Sequence, residues 1–156
     1  MKRIAVFNVF ALMTFTAAMR AQTPVATTCS DATLNGAYGV SISGTRPAPS
    51  VLPNSVFLPG YIEQAIGVVI QIFDGQGSFS QTDNVKGSVS GIIPNRPGSG
   101  TYSVNADCTG TYTVNNKGVP FPIVTQMVIV DGGAEFRGIV VSPQPVMITA
   151  SGRKMN

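Results

Sequence analysis

Residues 61–82, YIEQAIGVVIQIFDGQGSFSQT, contain the pattern that decides the fold. A stretch rich in Ile and Val at 61–73 and a more polar stretch, SFSQT at 78–82, flank DGQG at 74–77, where glycine supplies the positive φ of a tight hairpin turn. The first stretch alternates with the period of a β-strand, and one of its faces is almost entirely apolar, so we predict that this face packs against the core. That face carries Ile62, Gln64, Ile66, Val68, Ile70 and Ile72, and the opposite face carries Tyr61, Glu63, Ala65, Gly67, Val69, Gln71 and Phe73.

A second hairpin is predicted over residues 100–115. The sequence GTYSVN at 100–105 recurs as GTYTVN at 110–115, and each copy alternates Tyr and Val with small polar residues. Two paired strands that bury Tyr and Val on one face explain this repetition, with the turn at 106–109.

The remainder of the chain also consists of short runs rich in β-branched and aromatic residues, separated by glycine and proline. No sustained helical period follows the N-terminal segment. Eight or nine strands joined mostly by hairpins favour an all-β, up-and-down antiparallel barrel, because closure removes exposed sheet edges. A β-sandwich has similar strand spacing and is the alternative. The predicted strands are 37–43, 61–73, 78–82, 87–93, 100–105, 110–115, 123–130, 135–142 and 146–150, with proline-containing loops at 44–59 and 94–98.

The first residues have the order of a signal peptide. Lys2 and Arg3 precede an apolar stretch at 4–18, and small residues follow it. This stretch is shorter than the roughly 20 residues of a membrane-spanning helix. We therefore predict cleavage after Ala21, with Ala18 as the alternative site, and no membrane span in the mature protein.

The predicted domain organisation follows from this cleavage. Residues 1–21 form the signal peptide, 22–33 an N-terminal segment, 34–151 a single barrel domain and 152–156 a C-terminal tail. The mature protein is expected outside the cytoplasm, either secreted or periplasmic.

Two cysteines, Cys29 and Cys108, remain after cleavage. In an exported protein two thiols usually pair, so we predict one disulfide that tethers segment 22–33 to the barrel. A reactive thiol or a metal-binding pair is the alternative interpretation, but a metal site would need further soft ligands, which the sequence lacks.

Charge and composition exclude several classes of function. The charge of +3 belongs to the full chain, and loss of the signal peptide leaves seven basic and seven acidic residues. The mature chain is therefore neutral overall, and its charge predicts no nucleic-acid partner. The chain has no histidine, which excludes Ser-His-Asp and Cys-His catalysis and histidine metal sites. No cofactor is predicted, and any catalysis would depend on carboxylates, tyrosines, lysines or backbone groups.

Two pairs of side chains are the candidates for chemistry. Glu63 shares a strand face with Tyr61, and a carboxyl group in an apolar barrel would have a raised pKa and could act as an acid or a base. Glu135 and Arg137 alternate onto one face of another strand and could line the mouth of the barrel. For each pair, a solvated surface position is the alternative interpretation.

Three segments resemble a group of exported bacterial proteins: CSDATLNGAYG at 29–39, FDGQG at 73–77 and GTYSVNADCTGT at 100–111. That group is similar to the allene oxide cyclase-like barrels, which have a calycin or lipocalin-like architecture. The resemblance covers residues 29 to about 141 and implies a barrel that either binds a small apolar molecule or is filled by side chains. The cysteine pairing fits the same pattern. No cyclase active-site motif matches a position in this chain, so no catalytic residue is inferred from the resemblance.

Three functions are consistent with these observations. The first is an exported barrel that binds a small hydrophobic ligand. The second is a structural or surface-interaction protein with an exposed apolar patch, for which the loop at 44–59 is a candidate. The third and least favoured is a cyclase- or isomerase-like enzyme that holds its substrate in one conformer.

Overall fold

The computed structural model describes residues 28–48 and 61–156, which form a closed antiparallel barrel of eight strands. Each strand pairs with the next in sequence, and the last strand pairs with the first. The predicted barrel is confirmed, and the sandwich alternative is excluded. The predicted signal peptide lies outside the described residues. The strands are β1 (Asn35–Pro47), β2 (Ile62–Asp74), β3 (Ser78–Gly87), β4 (Gly91–Val104), β5 (Thr109–Asn116), β6 (Ile123–Val130), β7 (Glu135–Ser142) and β8 (Met147–Lys154).

Both hairpins predicted from the sequence are present. In the first, the carboxylate of Asp74 accepts hydrogen bonds from the backbone N–H groups of Gln76 and Ser78, at 2.7 and 2.9 Å. In the second, Tyr102 of β4 lies directly opposite Tyr112 of β5, and both side chains are buried. Local turn chemistry and strand alternation therefore position these four strands.

The prediction of which face of β2 points inward is wrong. The isoleucine-rich face lies on the outside of the barrel, where its apolar side chains are 49–63% exposed. Phe73 determines the orientation, because it pairs with Phe79 of β3 and both rings enter the interior. Gly67 also faces inward, and a Cβ there would lie 2.8 Å from the carbonyl oxygen of Asn84, so the interior has no space for a larger residue at this position.

The strand prediction around the prolines of β4 is also wrong. Residues 94–98 were expected to form a loop, yet β4 passes through them by means of a bulge between its pairings with Asp83 and Val85. Asn95 adopts a φ of 50° in this bulge, and its N–H donates to Oδ1 of Asn84 at 3.1 Å. A bulge tolerates proline because one residue there leaves the hydrogen-bonded ladder. Residues 91–93 and 100–104 of two predicted strands therefore belong to the one strand β4, whereas Gly87 ends β3 and residues 88–90 form the turn between them.

Two predicted boundaries also differ. Residues 44–47 of the predicted loop 44–59 continue β1, while residues 49–59 of that loop lie outside the described residues. Strand β8 ends at Lys154, so residues 152–154 belong to the barrel and not to the predicted tail. Within the described ranges, no helix is long and apolar enough to cross a membrane.

One end of the barrel, called here the aromatic end, is filled by six rings whose centroids lie 5.0–6.2 Å apart. Edge-to-face contacts of this kind stabilise a core beyond the area that they bury. The other end, called here the cavity end, has the β3–β4, β5–β6 and β7–β8 connections. The six aromatic residues are Tyr38, Phe73, Phe79, Tyr102, Tyr112 and Phe136.

The segment before β1 covers the aromatic end. Leu34 is completely buried, and the hydroxyl of Tyr102 donates to the carbonyl oxygens of Asp31 and Leu34, at 3.0 and 2.9 Å. Cys29 and Cys108 form the predicted disulfide, with their Cα atoms 5.0 Å apart. A disulfide is typical of proteins that fold in an oxidising compartment outside the cytoplasm.

Candidate functional site

An internal cavity of about 90 Å³ occupies the cavity end of the barrel. Tyr112, the one member of the aromatic cluster that also lines this cavity, marks the boundary between the two halves. The cavity is mixed in character, because polar side chains and branched aliphatic side chains both face it. The polar lining residues are Arg46, Gln71, Gln81, Asp83, Arg96, Asn116 and Thr125, and the aliphatic ones include Ile42, Val69, Val85, Val114, Ile123 and Ile148.

Three carboxamides form a directional chain of hydrogen bonds within the barrel. Nε2 of Gln71 donates to Oε1 of Gln81 at 2.8 Å, and Nε2 of Gln81 donates to Oδ1 of Asn116 at 2.8 Å. Gln71 and Gln81 are opposite each other on β2 and β3, whereas Asn116 belongs to β5. Gly98 of the intervening β4 makes the second bond possible, since a Cβ there would collide with Oδ1 of Asn116.

The carboxamide chain leaves one acceptor without a partner. Among the described residues, Oε1 of Gln71 is the one buried side-chain nitrogen or oxygen that makes no hydrogen bond. Gln71 is only 3% exposed, so bulk water does not satisfy this oxygen. A buried polar atom without a partner costs about 1–3 kcal/mol, and such atoms in native proteins usually indicate a bound water or ligand.

Tyr112 adds a hydroxyl group to the cavity floor. Burial raises the pKa of Tyr112, and the side chains of Thr125 and Gln71 oppose this rise through hydrogen bonding without reversing it. Tyr112 is therefore protonated at neutral pH and does not act as a base.

Two ion pairs contribute Arg46, Asp83 and Arg96 to the lining, whereas Glu63, the partner of Arg46, lies behind it. Each pair joins residues that are opposite each other on adjacent strands. Arg96 binds Asp83 through two parallel bonds, from Nε to Oδ1 at 3.0 Å and from Nη2 to Oδ2 at 2.8 Å. Nε of Arg46 donates to Oε1 of Glu63 at 2.8 Å. All four side chains are at least 89% buried, so each pair supplies its own charge compensation inside the barrel.

Glu63 makes further contacts with the β3–β4 turn. Its carboxylate accepts hydrogen bonds from the N–H groups of Val89 and Ser90, at 3.0 and 2.9 Å, and from the Ser90 hydroxyl at 2.9 Å. Burial raises the pKa of Glu63, but these donors and the Arg46 guanidinium together hold the pKa below its ordinary value. The raised pKa expected from the sequence is therefore not found, and Glu63 anchors the turn as a carboxylate.

Replacement of Glu63 by glutamine is expected to destabilise the protein by about 3 kcal/mol at neutral pH, because it leaves Arg46 buried without a counter-charge. The pKa of Glu63 is depressed on folding, so its stabilising effect exists above the unfolded-state value of about 4.3 and is lost as the pH falls through the folded-state value. The stability difference between wild type and Glu63→Gln should therefore shrink on acidification, which urea unfolding at several pH values measures.

Glu135→Gln is the matched control for this experiment. Arg137 is 68% exposed in its pair with Glu135, and removal of one charge from an exposed pair changes stability by about 0.5 kcal/mol or less. Equal effects of the two substitutions at neutral pH would contradict the role assigned to Glu63.

The other candidates from the sequence do not face the cavity. Tyr61 precedes β2 and is 64% exposed, so it does not share the interior with Glu63. Glu135 and Arg137 bind each other, with Nε of Arg137 donating to Oε1 of Glu135 at 2.8 Å, on the outer surface near the aromatic end. Arg137 also borders a depression of about 750 Å³ on the outside of β5–β8, where no buried polar atom is left without a partner.

Several cavity residues were not selected from the sequence: Gln71, Gln81, Asp83, Arg96 and Asn116. One signal could have found Gln71, since Gln71 has the same strand parity as Phe73. That signal requires knowing that Phe73 points inward. Among the described residues, no group of three or more His, Cys, Asp or Glu side chains could hold a metal ion.

Comparisons of the chain with protein-family models, curated proteins and solved structures find no significant match. The resemblance to allene oxide cyclase-like barrels therefore stays a prediction, and inferences about function depend on the geometry of the cavity.

Proposed function

We propose that this protein is an exported β-barrel that binds a small, mainly apolar ligand in its interior. The observation that carries the proposal is the cavity of about 90 Å³ at one end of a barrel whose other end is filled with aromatic rings. Ligand sites in proteins usually combine apolar walls with a few placed polar groups. The volume suits a compact ligand or one end of a longer molecule.

Export is part of this proposal. The Cys29–Cys108 disulfide supports an oxidising compartment, and the signal-peptide pattern at 1–21 agrees with it. The ligand would then be met in the periplasm or outside the cell.

The state of the interior ionisable groups favours binding over catalysis. Glu63 and Asp83 each bind an arginine, and the Tyr112 hydroxyl has a raised pKa. A general base must be free to take up a proton near the working pH. The carboxylates and the tyrosine at this site are committed to structural contacts, which supports the role of a binding protein.

Native mass spectrometry of the protein exported by its own cells tests the proposal. We expect an added small-molecule mass that disappears on denaturation. We also expect Val69→Phe, which fills the cavity from β2, to lose it, and Val68→Phe, which adds the same ring to the outer face, to keep it. A bare wild-type protein that also fails to bind small apolar probes in solution would overturn the proposal, as would retention of the ligand by folded Val69→Phe.

The outer face of β2 favours a second candidate, a surface-interaction protein. Five aliphatic side chains on this strand are exposed side by side, and exposed apolar patches commonly mark interaction sites. The same native spectra distinguish the candidates, because a partner protein adds a mass of protein size. The five residues are Ile62, Ile66, Val68, Ile70 and Ile72.

A further inference from the structure

We infer that the cavity selects an uncharged ligand with a hydroxyl or N–H group that donates a hydrogen bond to Oε1 of Gln71. This inference rests on the proposed ligand-binding function and adds the chemical class of the ligand. It depends on two independent observations, the charge balance of the cavity and the direction of the carboxamide chain.

The charges inside the barrel are already balanced. Arg46 is paired with Glu63, and Arg96 with Asp83, so the two cations and two anions sum to zero. A charged ligand would enter this buried environment without a counter-charge and would lose its hydration. Neutral ligands avoid that cost.

The carboxamide chain leaves a specific hydrogen-bonding requirement. Gln71 donates to Gln81, and Gln81 donates to Asn116, so the direction of the chain places a free acceptor on Gln71. Oε1 of Gln71 belongs to a residue that is 97% buried and that lines the cavity. A ligand that donates a hydrogen bond satisfies this oxygen, whereas a ligand with only acceptor atoms leaves it without a partner.

The remaining walls define the body of the ligand. Val69 of β2, Val114 of β5 and Ile42 of β1 line the same cavity as the carboxamide chain. These side chains offer no hydrogen bonds, and the charged wall residues Arg46, Asp83 and Arg96 are already paired, so most of the ligand's other surface is apolar. Small neutral alcohols and amides with a compact hydrocarbon body have the required chemistry.

Isopropanol, acetone and acetate make a matched set of probes, because they have similar size and shape but differ in donor capacity and charge. Binding is followed by NMR titration of the methyl signals of the cavity valines. We expect isopropanol to bind about tenfold more tightly than acetone, since only the alcohol satisfies the buried acceptor. Acetate should bind more weakly than isopropanol by at least the same factor.

Two variants connect this preference to the carboxamide chain. The triple variant Gln71→Met, Gln81→Met and Asn116→Leu keeps similar volumes but removes every acceptor of the chain, so the ratio of isopropanol to acetone affinity should fall to about twofold or less. All three residues are replaced because Gln71→Met alone would also remove the donor to Gln81 and leave Oε1 of Gln81 as a new free acceptor in the cavity. Gln64→Met makes a similar change on the exposed face of β2 and should leave the ratio unchanged. If the triple variant does not fold, the three probes on the wild-type protein still decide the question.

The outcomes separate this inference from the proposed function. Equal binding of isopropanol and acetone, or binding of acetate more tightly than isopropanol, would overturn the inference. Either result would leave the proposed ligand-binding function in place. A donor preference that persists in the folded triple variant would also overturn the inference. Failure of every probe to shift a cavity methyl signal would count against both proposals.

Discussion

Replacement of Phe73 by alanine is expected to reduce the free energy of unfolding by about 4 kcal/mol, the usual range for a buried phenylalanine in a well-packed core being 3–5 kcal/mol. Phe73 is 1% exposed and lies at the centre of the aromatic end. Its ring centroid is 5.3 Å from that of Tyr38, 5.0 Å from Tyr102 and 5.9 Å from Phe136. The chain has no tryptophan, so urea unfolding followed by circular dichroism is the appropriate measurement.

Ile72→Ala provides the matched control for this prediction. Ile72 is the preceding residue on the same strand, and its side chain is 52% exposed on the outer face. An exposed apolar side chain of this kind contributes little to stability, so we expect a change of about 0.5 kcal/mol. A larger loss for Ile72→Ala than for Phe73→Ala would contradict the orientation of β2 and restore the faces predicted from the sequence.

Removal of the disulfide by the double substitution Cys29→Ala and Cys108→Ala is expected to destabilise the protein by about 4 kcal/mol. The two cysteines are 79 residues apart, so the bond closes a long loop and reduces the entropy of the unfolded chain. Urea unfolding of both proteins gives the difference in stability.

The wild-type protein with its disulfide chemically reduced is the control for the cysteine variant. Its unfolding midpoint should approach that of the double variant, because both lack the same covalent constraint. If the urea unfolding midpoint of the wild-type protein does not change on reduction, the disulfide contributes little to the free energy of unfolding. Mass measurement before and after reduction verifies the redox state.

The features that the sequence predicted correctly are local. The DGQG turn and the paired GTYSVN and GTYTVN segments each specify a hairpin within a few residues, and repeated hairpins lead to a meander that closes. The orientation of β2 is not local, because both of its faces carry apolar residues. Contacts of Phe73 with Tyr38 and Phe136, on β1 and β7, decide it.

The candidate site is still less accessible from sequence. Gln71, Gln81 and Asn116 come from three strands, and their contact requires both the register of β3–β5 and the missing side chain at Gly98. Polar residues on an interior face look like exposed residues until their partners are known. The pKa of Glu63 depends on such partners too, because burial alone would raise it, whereas the contacts with Ser90 and Arg46 lower it.

The separation of the aromatic end from the cavity end has a consequence for how this barrel can evolve. Of the six clustered aromatic residues, Tyr112 alone also lines the cavity, so most of the rigid packing is out of reach of a bound molecule. Mutations among the cavity side chains can then change ligand preference while the barrel keeps the stability margin that tolerates them. Tyr112 is the exception, because a substitution there changes both the packing of the aromatic end and the binding of the ligand.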